Sequence, residues 1–224
     1  MRPSIPASVS TSALGVDPPQ YPRRDPLLEP VRDDVNTTER IVEAYFRHVM
    51  GCFTATDVKV EGGNNRQLDM VAVNLRSGAA YHAEVTVKIS GFDPTIEKLR
   101  RAFDHKFFGV PRENEKPTGD HAKGKSYLDA IKRTYRRLGL TPSTVQRVFV
   151  CWDVKGATGS DIDLFLRDYS KARRLGGRPI EIWSFRERVL PELAAAVGTS
   201  NYEDDALRTL SLLEAAKRQR ARGR

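Results

Sequence analysis

Two cysteines, Cys52 and Cys151, are all that the 224 residues contain, and neither stands in a CxxC pair or beside a histidine cluster. Nothing therefore supports a disulfide scaffold or a thiolate zinc site, and two reduced core thiols are expected. No apolar run approaches the ~20 residues needed to cross a bilayer. The N-terminus lacks a compact apolar stretch behind a basic start, so a secretory signal is not expected. The chain reads as cytoplasmic, with no membrane partner. No internal repeat is present.

What the chain does contain is a composition of 39% hydrophobic and 29% charged residues, which suits one globular domain with appendages. Its net charge of +8 favours a polyanionic partner, most often nucleic acid, although a solvated basic face has the same composition. Seven of the thirteen prolines fall in residues 1–35, which read as an extended or disordered arm. The folded domain is expected over 36–198. A C-terminal helix and basic tail follow over 199–224, ending in Lys217, Arg218, Arg220, Arg222 and Arg224.

Period and punctuation give the elements. Asn36 and Glu39 suit a capping box ahead of a helix to about Met50, which carries Ile41, Val42, Tyr45, Phe46 and Val49 on one face. Strands are expected over 57–61 and 67–75, joined by the turn Gly62-Gly63-Asn64-Asn65. A third strand is expected over 80–90. Basic helices over 94–108 and 127–138 flank a long polar loop, 111–126. The apolar strand 146–154, a helix over 161–175, a strand over 179–185 and helical residues from Leu190 complete the chain. A meander followed by strand-helix-strand crossovers predicts an α/β fold with a mixed sheet flanked by helices.

The third strand alternates without a fault. Tyr81, Ala83, Val85, Val87 and Ile89 are apolar, while His82, Glu84, Thr86, Lys88 and Ser90 are polar. Period two predicts one face on a core and the other against something polar. That second face carries a carboxylate and an ammonium group, and Asp69 lies one strand earlier in QLDMVAV. A lone carboxylate in an apolar strand is costly to bury, which points to a functional role for Asp69. Glu84 with Lys88 also fits a same-face ion pair, and Glu43 a pair with Arg47 one helical turn on. His82 reads as a satisfied or exposed histidine.

On these residues the chain resembles the PD-(D/E)xK, or restriction-endonuclease-like, nuclease superfamily. Its common core is helix, three strands, helix, strand (αβββαβ), and the resemblance covers roughly residues 36–155. The family places an acidic residue on the second strand, here Asp69, a Glu-X-Lys on the third, and often a glutamate on the first helix, here Glu43. Thr86 stands where the lysine is due, two residues after Glu84. Either Glu84 is the carboxylate and its lysine is Lys88, or Thr86-Val87-Lys88 is the motif with threonine replacing the acid. The first reading keeps both acids.

The resemblance implies a Mg²⁺-dependent (or Mn²⁺-dependent) deoxyribonuclease with Asp69 and Glu84 as metal ligands. Lys88 would act on the water or the charged phosphorane, Glu43 as an outer ligand, and Gln67 on the substrate phosphate. Phosphate contacts are expected from Arg66, from Lys98, Arg101 and Lys106 on the helix after the third strand, and from Lys123, Lys125, Arg133 and Arg137 beyond it. A homodimer is expected, because paired breaks need two sites. The competing readings are a nuclease-like nucleic-acid-binding module without catalysis, and a scaffold whose basic face meets an acidic protein.

Overall fold

The structure, a computed structural model, describes residues 37–63, 65–87, 94–112, 126–177 and 179–222. The expected arm at 1–35 and Asn36 lie outside the described residues. Five strands form one sheet in the order β1 (Phe53–Lys59), β2 (Gln67–Asn74), β3 (Ala79–Thr86), β4 (Val145–Cys151), β5 (Glu181–Ser184). β1 to β3 run antiparallel as a meander, and β4 and β5 then add in parallel. The mixed α/β fold expected from the sequence is what is observed.

Helices cover both faces. On one side α1 (Thr37–His48), α5 (Leu190–Val197) and α6 (Asp205–Arg222) bury Met70, Ala72, Ala83, Val85, Val148, Val150 and Trp183. On the other, α2 (Ile96–Phe108) and α4 (Gly159–Ala172) close over Phe149 and Cys151, and α3 (Leu128–Arg137) over Val71, Ala80 and Val145. Both parallel crossovers thus pass over the same face, as two crossovers of one hand progressing in one direction must. Among the described residues no helix is long and apolar enough to cross a membrane.

Several boundaries differ from the sequence reading, and three bear on the site or its frame. β1 begins at Phe53 instead of Asp57, because Thr54 and Thr56 pair in register with Ala72 and Met70 and extend the ladder. β3 ends at Thr86, and residues 88–90 of its expected continuation, Lys88 among them, lie outside the described residues. A π-helical turn, Phe185–Val189, links β5 to α5, and Ser184 Oγ caps its start by accepting from the Glu187 N–H. Much of the polar face of β3 is also closed to solvent. α2 and α3 bury His82 and Glu84 completely.

The end of α2 is set by one residue. Gly109 adopts φ 63° and closes the helix, while the Val110 N–H returns to Asp104 O at 2.9 Å. The Tyr127 N–H donates to Gly109 O, so α3 starts against this turn. A Cβ at Gly109 would lie 2.7 Å from Tyr127 Cβ and 2.8 Å from its backbone. Gly109→Ala is therefore expected to lose at least about 2 kcal/mol in urea unfolding, from the left-handed backbone and the collision together.

Candidate active site

Asp69 and Glu84 are brought together by register. Pairing of Met70 with Ala83 continues one step to set Asp69 opposite Glu84, both on the face under α2. At that step the ladder stops, and Asp69 Oδ2 accepts from the Val85 N–H at 2.9 Å. A lysine then enters from the helix. Lys106 Nζ lies 2.8 Å from Asp69 Oδ1 and 2.6 Å from Glu84 Oε2. Both contacts are ion pairs, and the one to Asp69 is also an aligned hydrogen bond.

Behind this group the polar chain continues inward. Glu84 Oε1 is 2.6 Å from His82 Nε2, and His82 Nδ1 is 2.7 Å from the Tyr135 hydroxyl. His82 and Glu84 are 0% exposed, whereas the side chains of Asp69 and Lys106 retain 15% and 26%. The group therefore runs from dry interior to the mouth of a cleft.

Burial governs its protonation. It pushes Asp69 up to about 6, with repulsion from Glu84 adding to it and Lys106 opposing it. Glu84 is raised chiefly by burial, which Lys106 partly offsets. His82 is lowered to about 3 by burial and then by the Arg147 guanidinium, so its contact with Glu84 is a hydrogen bond of a neutral ring and not an ion pair. Burial alone would lower Lys106, but the two carboxylates outweigh it and hold the amine as an ammonium ion.

Two clefts meet at Lys106. One, of about 560 Å³, is lined by Arg66, Gln67, Asp69, His105, Lys106 and Arg112 among others. The second, of about 770 Å³, has Thr86, Lys98, Arg101, His105, Lys106 and Arg112 in its walls. Gln67 thus shares Asp69's cleft. Arg66 donates to His105 O at 2.8 Å and lies 4.6 Å above the Tyr127 ring, so it also fastens β2 to the end of α2. Arg101 pairs with Glu97. Arg133 and Arg137 are exposed on α3, beside the Gly62 turn, where Arg137 donates to Lys59 O at 3.1 Å.

Other candidates stand elsewhere. Glu43 is not part of the group. Its Oε1 accepts from the Thr54 hydroxyl at 2.7 Å, on the face of Ala72 and α1, across the sheet from Asp69. The expected partner Arg47 is replaced by that threonine. Lys88, Lys123 and Lys125 lie outside the described residues. The amine beside the acids is Lys106, which the sequence suggested only as a phosphate contact. A signal for it existed: Leu99, Phe103 and Phe107 form the buried stripe of α2, and Lys106 falls at the i+7 and i+3 positions of that stripe. Tyr135 similarly sits on the buried stripe of α3 with Ile131.

A divalent cation would meet two convergent oxygens here, Asp69 Oδ1 and Glu84 Oε2, the pair that Lys106 now contacts. With Asp69, Glu84 and Lys106 all ionised the group carries one net negative charge. Hard carboxylate oxygens fit Mg²⁺. Among the described residues no cluster of three or more acidic, histidine or cysteine side chains is arranged to hold an ion by itself, so a bound Mg²⁺ would keep most of its water. No protein-family model, curated protein or solved structure matches the chain.

Removing the ammonium leaves two buried carboxylates facing each other. Lys106→Met is expected to destabilise the metal-free protein by about 3 kcal/mol at pH 8. In the folded state the carboxyls are raised, so acid protonates and neutralises them while they are still buried. The gap in melting temperature between wild type and variant should therefore narrow towards pH 5, as thermal unfolding across pH will show.

Proposed function

We propose that the chain is a metal-dependent DNA endonuclease that hydrolyses phosphodiester bonds. The observation that carries this reading is the meeting of Asp69, Glu84 and the Lys106 ammonium where two basic clefts join. The element order, with the acids on the second and third strands, supports a restriction-endonuclease-like core. A metal cation would also relieve the repulsion between the two acids.

Hydrolysis forms a bond from a water oxygen to phosphorus and breaks a phosphorus–ester oxygen bond; the water gives up a proton, and the departing oxygen gains one. Mg²⁺, held by Asp69 and Glu84, would supply charge neutralisation on the phosphate and acidify the attacking water. Lys106 cannot be the base, because the carboxylates keep it protonated. Its role is electrostatic: freed from one carboxylate, the ammonium stabilises charge on the phosphoryl oxygens. Arg66, Gln67 and Arg112 line the approach and suit phosphate contacts, as do Lys98 and Arg101 in the second cleft. A double-strand break would need a second copy, since the described residues contain one such pair of acids.

A second reading, DNA binding without cutting, is favoured by one observation: Lys106 already stands between the two acids, where a metal would bind.

Supercoiled plasmid with Mg²⁺ or Mn²⁺ separates the two. Wild-type protein is expected to nick it, Asp69→Asn and Glu84→Gln to reduce cutting beyond detection with unchanged circular dichroism, and Lys106→Ala to lower the rate by about 10²–10³. Intact plasmid, together with a DNA affinity falling as about the third power of salt or steeper, would establish the binding module instead.

A further inference from the structure

The metal-dependent reading leaves two fully buried polar side chains without a task, Tyr135 on α3 and His82 on β3. We propose that they are positioning residues: the Tyr135 hydroxyl sets the tautomer of His82, and His82 in turn fixes the Glu84 carboxylate so that Oε2 faces the cation position shared with Asp69. The proposal rests on that reading of the site.

With Glu84 ionised, as a metal ligand must be, the hydrogen-bond bookkeeping leaves one arrangement with every group satisfied. Burial raises the Tyr135 hydroxyl well above its ordinary range, so it stays an O–H donor. It donates to His82 Nδ1 across 2.7 Å, which forces the ring proton onto Nε2. Nε2–H then donates to Glu84 Oε1 across 2.6 Å. The opposite tautomer would point a ring N–H at the tyrosine and require Glu84 to carry a proton for Nε2.

The ring has little freedom to escape this role. Phe107 packs edge-on at 5.0 Å between centroids, Tyr135 lies at 5.8 Å, and Arg147 stands opposite His82 in the β3–β4 register. One carboxylate oxygen is thereby held from behind, and the other is left facing Lys106 and the Asp69 side. A ligand oxygen oriented by a histidine N–H, itself oriented by a further group, is how metal ligands are commonly made rigid.

Two measurements on the full chain test the proposal, neither requiring turnover. Long-range ¹H–¹⁵N spectra of metal-free protein labelled in its four histidines report the tautomer, the His82 signals being those that vanish in His82→Gln. The wild type is expected to show Nε2–H and unprotonated Nδ1, and Tyr135→Phe to populate Nδ1–H. Calorimetric titration with Mn²⁺ is expected to show affinity about 10–100-fold weaker in Tyr135→Phe and His82→Ala, with His82→Gln partly restored because its amide N–H can replace Nε2–H.

An Nδ1–H tautomer in the wild type overturns the proposal. So does Mn²⁺ affinity unchanged in Tyr135→Phe and His82→Ala. If wild-type protein takes up no Mn²⁺, the metal-dependent reading fails and this proposal with it. That result differs from failure of the proposal alone, in which wild type and variants bind equally.

Discussion

The Lys106 ammonium, lodged between Asp69 and Glu84, is the contact on which the rest of this site depends. Two carboxylates facing each other under a helix would repel and would each lack water. Charge compensation from within the fold lets the sheet carry them there. It also demands that α2 end at the right place. Thr95 caps its start, Gly109 turns the chain at its end, and the intervening stripe of Leu99, Phe103 and Phe107 fixes its rotation on the sheet. Rotation by one residue would withdraw the amine.

The same layer explains the chemistry available. Because α2 and α3 close over β3, Glu84 sits in a dry environment where a single charge has long reach, while Asp69 and Lys106 keep contact with the clefts. A gradient from buried histidine and tyrosine to half-open lysine orders the group along one line. The inner end is neutral and hydrogen-bonded; the outer end is charged and accessible. Such a line keeps its hydrogen-bonded groups in the interior and its charged ones beside the clefts.

The opposite face of the sheet has a different task. α1, α5 and α6 bury an aromatic cluster, in which Phe46 stacks on Trp183 and meets Tyr81 edge-on. Glu43 belongs to this side, tied to Thr54 at the start of β1. Its carboxylate serves the packing of helix on strand, and the sheet itself separates it from the acids.

Alternation in residues 80–90, the glycine-rich turn after β1 and the spacing of the helices were enough to determine the mixed α/β fold, and even offsets placed Glu84 and the residues around it on one face. Asp69, polar within an apolar strand, was also legible from composition alone. What the tertiary structure decided was that Lys106 reaches the acids and that helices cover much of their face. Lys106 is 22 positions from Glu84 along the chain and touches it only because the β3–α2 connection lays the helix across that face. Period two records that a strand has two unlike sides, but it cannot record what covers each, because burial depends on elements remote in sequence. For the same reason His82 and Tyr135, separated by 53 positions, could not be paired until α3 was in place.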